Sequence, residues 1–288
     1  VRISSKACFQ IFEATLQANI SALEQIVYKA EHVIVACSGG IDSLLLAIVA
    51  NRILGKECHI AHSVGPSVSP EATRRVKRFA QNEGWQLHLL EADEFSDENY
   101  LSNPANRCFF CKTHLYASMT DLAQCLTKNR GTSYFMMSGT NCDDLSEYRP
   151  GLLAADQFGV RHPYVEVGMG KREIRRHARK LNLPFSELPA SPCLSSRLYT
   201  GTRVTAERLE AIHFSETALQ KSLHLGTVRC RLEDNDMRIE VPSTDREKLT
   251  PEVIASLQTQ LQTHHPHVAS VTLDPHEYRP GRAFKVEH

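Results

Sequence analysis

The run Val33-Ile34-Val35-Ala36-Cys37-Ser38-Gly39-Gly40-Ile41-Asp42-Ser43 decides how this chain is read, because it joins a short apolar strand to a helix through a serine and two glycines. Without a Cβ, a glycine takes positive φ and lets the backbone approach an anion, while a helix opening near Asp42 turns its unpaired N–H groups and positive dipole end toward it. Ser38 and Ser43 add hydroxyl donors. The spacing is not the G-x-x-x-x-G-K-S/T of a Walker loop and no lysine lies inside it, so γ-phosphoryl transfer of the kinase kind is not the natural chemistry. Two glycines alone also serve as an ordinary turn at a helix start; the complete strand, loop and apolar helix point to phosphate binding.

Outward from this loop, apolar strands alternate with amphipathic helices at the interval of a parallel α/β sheet. The pattern predicts strands at residues 33–37, 59–63, 86–90 and 134–138, and helices at 9–29, 43–53, 70–83 and 114–128. Ser69 is the predicted N-cap of the third helix and Pro70 its first residue. Ligands of such sheets sit beyond the carboxyl ends of the strands, where both Ser38-Gly39-Gly40 and Ser138-Gly139-Thr140-Asn141 fall, so the two loops are predicted to face one cleft. After a small polar stretch at 190–203 the pattern becomes a helix (206–223), two strands (227–232 and 237–241), a helix (250–261) and a last strand (267–273), a small α+β arrangement. The predicted division is a nucleotide-binding domain at 1–200 and a smaller domain at 201–288. His264-His265-Pro266-His267 reads as a solvated turn rather than a metal site.

Across 288 residues, Lys plus Arg and Asp plus Glu both number 33, giving zero formal net charge. Binding of long nucleic acid by phosphate neutralisation is disfavoured, and a small-molecule substrate is favoured. There is no apolar stretch of about 18 residues and no basic segment leading into an apolar one, so no membrane span or secretory leader is expected. The chain starts at Val1 without an initiating methionine, which reads as trimming. Its nine cysteines are odd in number and irregularly spaced, which suits a reducing cytoplasm with thiols kept for metal or catalysis.

Three of these cysteines stand apart. Cys108-Phe109-Phe110-Cys111 is a C-x-x-C at a helix start with no second pair to complete a four-thiolate zinc site, and its members also pass as ordinary small side chains. Cys193 lies in Pro189-Ala190-Ser191-Pro192-Cys193-Leu194-Ser195-Ser196-Arg197, an electropositive loop of the kind that favours thiolate, both nucleophile and metal ligand. Three thiolates can leave one iron of a 4Fe-4S cluster open for chemistry. Cys8, Cys37, Cys58, Cys125, Cys142 and Cys230 read as buried or incidental thiols.

Taken together, Ser38–Ser43, Ser138-Gly139-Thr140-Asn141-Cys142-Asp143-Asp144 with Glu147-Tyr148-Arg149-Pro150-Gly151, the run at 189–197, Arg229 with Arg231, and Tyr278-Arg279-Pro280-Gly281-Arg282 resemble the LarE family within the PP-loop ATP pyrophosphatases. The resemblance extends from about residue 30 to residue 282. It implies an ATP-dependent sulfur transferase or insertase of nickel-pincer nucleotide biosynthesis, whose substrate is pyridinium-3,5-biscarboxylic acid mononucleotide and whose product is a thiocarboxylate. It also implies a homo-oligomer; the sulfide donor is unassigned.

A carboxylate resists nucleophilic attack until transfer to AMP gives it a stable leaving group, with release of pyrophosphate. In this scheme Ser38, Gly39, Gly40 and Ser43 hold pyrophosphate with Gly139 beside them, and Asp42 organises Mg²⁺ or the departing phosphates. His62 and Ser63 lie near adenine or ribose, Ser196 and Arg197 serve the reacting centre, and Arg229 and Arg231 clamp the substrate phosphate from one face of a strand. A solvated strand face is the competing reading for that arginine pair. The family uses two sulfur routes, sacrifice of a loop cysteine or a 4Fe-4S cluster on three cysteines; Cys108, Cys111 and Cys193 together favour the cluster. Glu216 matches a carboxylate position that shapes the site or binds a divalent ion in relatives, against an exposed helix glutamate. Asp143, Asp144 and Glu147 either position substrate or Mg²⁺ or cap a following helix. A tRNA thiolase and a non-catalytic nucleotide sensor are the alternatives.

Overall fold

The computed structural model describes residues 5–146, 149–279 and 281–283, with backbone alone for 5–12, 129 and 130. The chain divides into two compact units: Val1–Val64, Pro70–Ala92 and Cys111–Ser191 form the first, and Gly65–Ser69, Asp93–Phe110 and Pro192–His288 the second. In chain order the helices and strands are α1 (Ser5–Ala30), β1 (Val33–Ala36), α2 (Ile41–Leu54), β2 (Cys58–Val64), α3 (Pro70–Glu83), β3 (Gln86–Glu91), α4 (Glu98–Leu101), α5 (Arg107–Arg130), β4 (Phe135–Ser138), α6 (Gly151–Gln157), α7 (Pro163–Glu166), α8 (Lys171–Lys180), α9 (Ala206–Leu223), β5 (Arg229–Glu233), β6 (Asp236–Glu240), α10 (Pro251–His264) and β7 (Ser270–Leu273).

The first unit is built on a four-stranded sheet of order β3-β2-β1-β4, parallel throughout, with Val33 opposite both Cys58 and Phe135. All four residues of β1 are buried, as a central strand covered on both faces requires. Its neighbour α2 is apolar around most of its circumference and buries every residue from Ser43 to Asn51, which marks it as the inner helix. Helix α1 instead buries a stripe of Leu16, Ile20, Leu23 and Val27, and α3 buries Ala72, Val76, Phe79 and Ala80 behind a basic outer face. The predicted α/β architecture is present, with α5 longer than its periodic core because the turn at Pro104 starts it early: Arg107 N donates to Pro104 O at 2.9 Å.

The second unit is α+β. Hairpin β5–β6 pairs antiparallel, with Glu233 opposite Asp236, and β7 runs parallel to β6. Thr205 caps α9 by accepting from Arg208 N, and α9 buries Leu209, Ala211, Ile212, Ser215, Glu216 and Leu219. The histidine run at the end of α10 is a turn exposed at His264 and Pro266, but His265 within it is buried, its ring 5.3 Å from that of Phe214.

One core feature carries a pH dependence. His177 shares the buried face of α8 with Ile174 and Ala178, and neither ring nitrogen has a hydrogen-bond partner among the described residues. Burial, with the Lys180 charge beside it, pushes its pKa from 6.5 down to about 4. The unfolded chain therefore takes a proton that the folded protein refuses, so this histidine's contribution is intact above pH 6.5 and is lost as pH falls toward 4. Comparing urea unfolding at neutral pH and near pH 5, His177→Leu should reduce the acid-induced drop in stability by about 2 kcal/mol; an unchanged drop would show that the ring is hydrated.

Candidate active site

Strand β1 ends at Ala36 and the chain reaches α2 through Cys37-Ser38-Gly39-Gly40. Gly39 has φ +81°, and a Cβ there would stand 3.0 Å from Ala72 O and 3.2 Å from Val76 Cγ2 of α3, so glycine is required on both counts. The turn is closed by Ser43, whose hydroxyl donates to Gly40 O at 3.1 Å and accepts from Ser38 N at 3.1 Å. Gly40 is the N-cap of α2 and supplies no side-chain cap, which leaves the opening N–H groups of the helix to an anion. Arg75 Nη1 donates to Gly39 O at 2.6 Å, adding a cation that the loop itself lacks.

Asp42 enters the first turn of α2, with Oδ1 buried and without a hydrogen-bond partner among the described residues. Burial lifts its pKa to about 6; Asp144 adds to the rise, and Lys171, Arg175 and Arg149 oppose it. Tyr164, fully buried, donates its hydroxyl to Asp42 O at 3.0 Å. A half-buried carboxylate with one buried, unfilled oxygen is suited to a divalent cation. His62, at the end of β2, is 1% exposed and uses both ring nitrogens inside the protein, Nδ1 to Cys37 O at 2.7 Å and Nε2 to Thr73 Oγ1 at 2.9 Å. Its geometry is that of a brace between the loop and α3. Ser63 beside it is half-buried.

The second loop follows β4. A Cβ on Gly139 would lie 2.8 Å from Ser43 N and 2.9 Å from Asp42 C, so the two strand-end loops meet as predicted and glycine alone permits it. Asn141, fully buried, donates from its main chain and side chain to Asp144 Oδ2 at 3.1 and 2.9 Å. Asp143 Oδ2 accepts from Lys171 N at 2.7 Å, so the helix that it caps is α8. Asp144 is bridged by Arg149 Nη2 at 2.8 Å and Lys171 Nζ at 3.6 Å. Glu147 lies outside the described residues.

The second unit holds the other group of predicted residues. Cys193 is exposed and precedes a 3-10 turn at Leu194–Arg197 in which Leu194, Ser195 and Arg197 are buried. Ser196 Oγ donates to Cys193 O at 2.7 Å, and Arg197 Nη1 donates to Pro192 O and Cys193 O at 2.6 and 3.0 Å. Two further nitrogens of Arg197 grip Glu216 in a fork, both at 3.0 Å. Glu216 also accepts from Cys230 N at 3.1 Å and has Arg229 Nη1 at 3.9 Å. It is therefore a buried ion-pair partner, not an exposed helix glutamate, and both of its oxygens are already occupied by donors.

Arg229 and Arg231 do not lie on a solvated face. They are 8% and 4% exposed; Arg229 sits 5.5 Å from the centre of the Tyr278 ring, and Arg231 Nε is 2.8 Å from Glu240 Oε2. Arg231 Nη1 donates to Ser196 O at 3.2 Å, linking β5 to the Cys193 loop. Burial, then the charge of Arg197, lowers the Arg229 pKa, whereas for Arg197 the charge and hydrogen bonds of Glu216 outweigh burial and raise it. Arg282 bridges Glu240 and Asp274 and extends this network of arginines and carboxylates.

Of the predicted residues, Ser38, Gly39, Gly40, Asp42, Ser43, His62, Ser63 and Gly139 thus belong to the first unit, and Cys193, Ser196, Arg197, Arg229 and Arg231 to the second. The C-x-x-C falls at their division, Cys108 in the second unit and Cys111 in the first, one helical turn apart on α5 and both half-buried. Among the described residues no group of three or more His, Cys, Asp or Glu side chains is gathered to hold a metal ion. Cys37, Cys58 and Cys230 are buried, Cys142 half-buried and Cys125 exposed. Arg75 and Lys171 carry no sequence signal for this role, since each reaches the loops from an element distant in the chain, whereas Arg149 follows the second loop directly. No described helix is long and apolar enough to cross a membrane.

A parallel sheet delivering a Ser-Gly-Gly loop onto an uncapped helix, met by a second glycine loop, defines a member of the PP-loop ATP pyrophosphatase superfamily. No family model matches the chain. It is 36% identical over 272 residues to the uncharacterized protein slr1717 of Synechocystis, spanning 94% of this chain and 98% of that one. It is 28% identical over 270 residues to the pyridinium-3,5-bisthiocarboxylic acid mononucleotide synthase of Lactiplantibacillus plantarum, spanning 93% and 95%. A third relative, a glutamine-hydrolyzing GMP synthase component of Pyrococcus furiosus, is 21% identical over 238 residues, 78% of this chain and 74% of its own. The chain belongs to the family of the Synechocystis protein.

Proposed function

We propose that this protein is an ATP-dependent sulfurtransferase of the LarE kind, which adenylates a carboxylate of pyridinium-3,5-biscarboxylic acid mononucleotide and replaces its oxygen with sulfur. The observation that carries this is that one chain holds both an anion-binding loop that lacks a lysine and an exposed thiol, Cys193, in a loop held by a buried arginine. The relative from L. plantarum, similar along almost the whole chain, supports the same chemistry.

The N–H groups at Gly39 and Gly40 take the pyrophosphate of ATP, and Arg75, Lys171 and Arg149 offset its charge. Asp42 holds Mg²⁺ through the oxygen left open in its buried setting. His62 and Ser63 support the nucleotide side of the loop. Arg229 and Arg231, neighbours on β5, take the phosphate of the substrate. Arg197 keeps Cys193 and Ser196 in place, and the Cys193 thiolate displaces AMP from the acyl group, after which loss of the Cα proton breaks its Cβ–Sγ bond, freeing the thiocarboxylate and leaving dehydroalanine; a sulfide carried near it would displace AMP directly. Cys108, Cys111 and Cys193 suit a 4Fe-4S cluster in donor type, yet the described residues do not gather them around one centre. A cluster, when bound, would supply an exchangeable sulfide. The exposure of Cys193 favours a second source, its own sulfur.

The test is ATP, Mg²⁺ and the dicarboxylate nucleotide with coupled pyrophosphate detection and mass analysis of the product. Expected are pyrophosphate release dependent on the dicarboxylate and a thiocarboxylate product. Iron and acid-labile sulfide that disappear in each of Cys108→Ala, Cys111→Ala and Cys193→Ala assign the cluster; a protein lighter by about 34 Da after turnover assigns Cys193. Pyrophosphate release indifferent to the dicarboxylate, or salt-sensitive retention of tRNA, would overturn the assignment. The cations of α8 argue against tRNA, because Arg176 and Lys180 pair with Glu13 and Arg179 with Glu187 rather than forming an open stripe.

A pH profile tests the role of Asp42. Since its pKa stands at about 6 before metal binds, kcat/KM for ATP should climb about tenfold per pH unit below pH 6 and level off above it. An ascending limb confined to pH 4 would detach Asp42 from the metal.

A further inference from the structure

Buried contacts in the second unit tie the Cys193 loop to the opening of α5. Arg107, the first residue of that helix, is 2% exposed. Its Nη1 donates to Ser195 O at 2.8 Å and to Asn103 Oδ1 at 2.5 Å. Asn103, held at φ +54°, donates in turn from Nδ2 to Tyr199 O at 2.7 Å and Thr202 O at 2.9 Å. Tyr100 OH lies 2.8 Å from Ser195 Oγ, with both residues 1% exposed. On the other side, Leu194 N donates to Ser67 O at 2.9 Å, and Ser67 Oγ to Glu94 Oε1 at 3.0 Å. Every member of the 3-10 turn's inner side is thus pinned, while Cys193, two residues before Ser195, remains at the surface.

A buried guanidinium is a costly way to hold a helix start, since an apolar residue of similar volume packs there without desolvating a charge. What its Nη1 adds is direction: donating to both Asn103 Oδ1 and Ser195 O, it fixes two separate chain segments in one mutual setting. The segments so fixed are the ones that carry thiols. Cys108 follows Arg107 directly, Cys111 lies one turn further along the same helix face, and Cys193 precedes the carbonyl that Arg107 holds.

We propose that Arg107 is a positioning residue for sulfur transfer, locking the Cys193 loop to the start of α5 so that Cys193 and Cys108 are held in one mutual setting. The functional half of this proposal rests on the sulfurtransferase assignment; the lock itself does not. Nothing in it depends on whether iron or a cysteine supplies the sulfur.

The test uses the full-length protein with Arg107→Met and the milder Tyr100→Phe, read in two ways. A short bis-maleimide followed by peptide mapping should link Cys193 to the Cys108–Cys111 peptide in the wild type, with the yield down about fivefold or more in Arg107→Met. Pyrophosphate release with the dicarboxylate nucleotide should stay within about twofold, whereas thiocarboxylate formation falls about tenfold or more. Where Arg107→Met does not fold, Tyr100→Phe decides, with the same split at about threefold. A wild-type protein that gives no Cys193 cross-link, or variants in which both activities fall in parallel or neither changes, would overturn the role of Arg107. A wild-type protein that cross-links as expected but releases no pyrophosphate would overturn the sulfurtransferase assignment instead, and the positioning role for transfer with it.

Discussion

Replacing Glu216 with Gln is expected to destabilise the protein by about 3–5 kcal/mol, the largest effect of any single isosteric change considered. The carboxylate is 6% exposed and receives Arg197 through two nitrogens, with Arg229 close by and Cys230 N bonded to it. An amide of the same shape leaves two guanidinium charges buried without their counter-ion, and one of its ends presents donors to donors. Urea unfolding of the variant gives the number. Adding Arg197→Met to it should recover part of the loss, because the pair is costly to bury and most costly when half is removed. A loss below about 1 kcal/mol would mean that water already reaches these charges.

The second large effect is on activity. Gly139→Ala places a methyl 2.8 Å from Ser43 N and 2.9 Å from Asp42 C, both main-chain atoms at the head of α2. Neither can move without moving the pyrophosphate cradle. Displacing such a cradle by about an ångström is enough to cost on the order of 100-fold in rate, and the overpacking itself costs about 1–3 kcal/mol. Pyrophosphate release should therefore fall by about two orders of magnitude while the protein stays folded by circular dichroism. Activity within about threefold of wild type would show that the two loops separate in solution.

The sheet and its flanking helices were legible because their signals are local. Residues 70–83 and 206–223 match the observed helices to the residue, since Pro70 announces the first and the apolar spacing carries both on. The Ser38–Ser43 loop was legible for a similar reason: Gly39 is needed by a positive φ and Gly139 by a close approach, and both leave a mark in composition. Charged side chains were harder. Arg229 and Arg231 alternate as a solvated pair would, and only the fold supplies Glu216, Glu240 and Tyr278 to take them inside. Arg75 and Lys171 leave no such mark, because a cation's partner, here the Gly39 carbonyl or the Asp144 carboxylate, is set by the tertiary path of α3 and α8. His62 was placed beside the nucleotide by its position at a strand end, but its ring nitrogens are taken up by Cys37 and Thr73.

The interleaving of the two units bears on how the polypeptide emerges from the ribosome. Gly65–Ser69 and Asp93–Phe110 are made early, yet they pack with the stretch from Pro192 onward, made last. Arg107 has no Ser195 carbonyl to hold until translation is two-thirds complete. During that interval the nascent chain carries two segments without their eventual neighbours, and no single cut in the gene releases either unit intact.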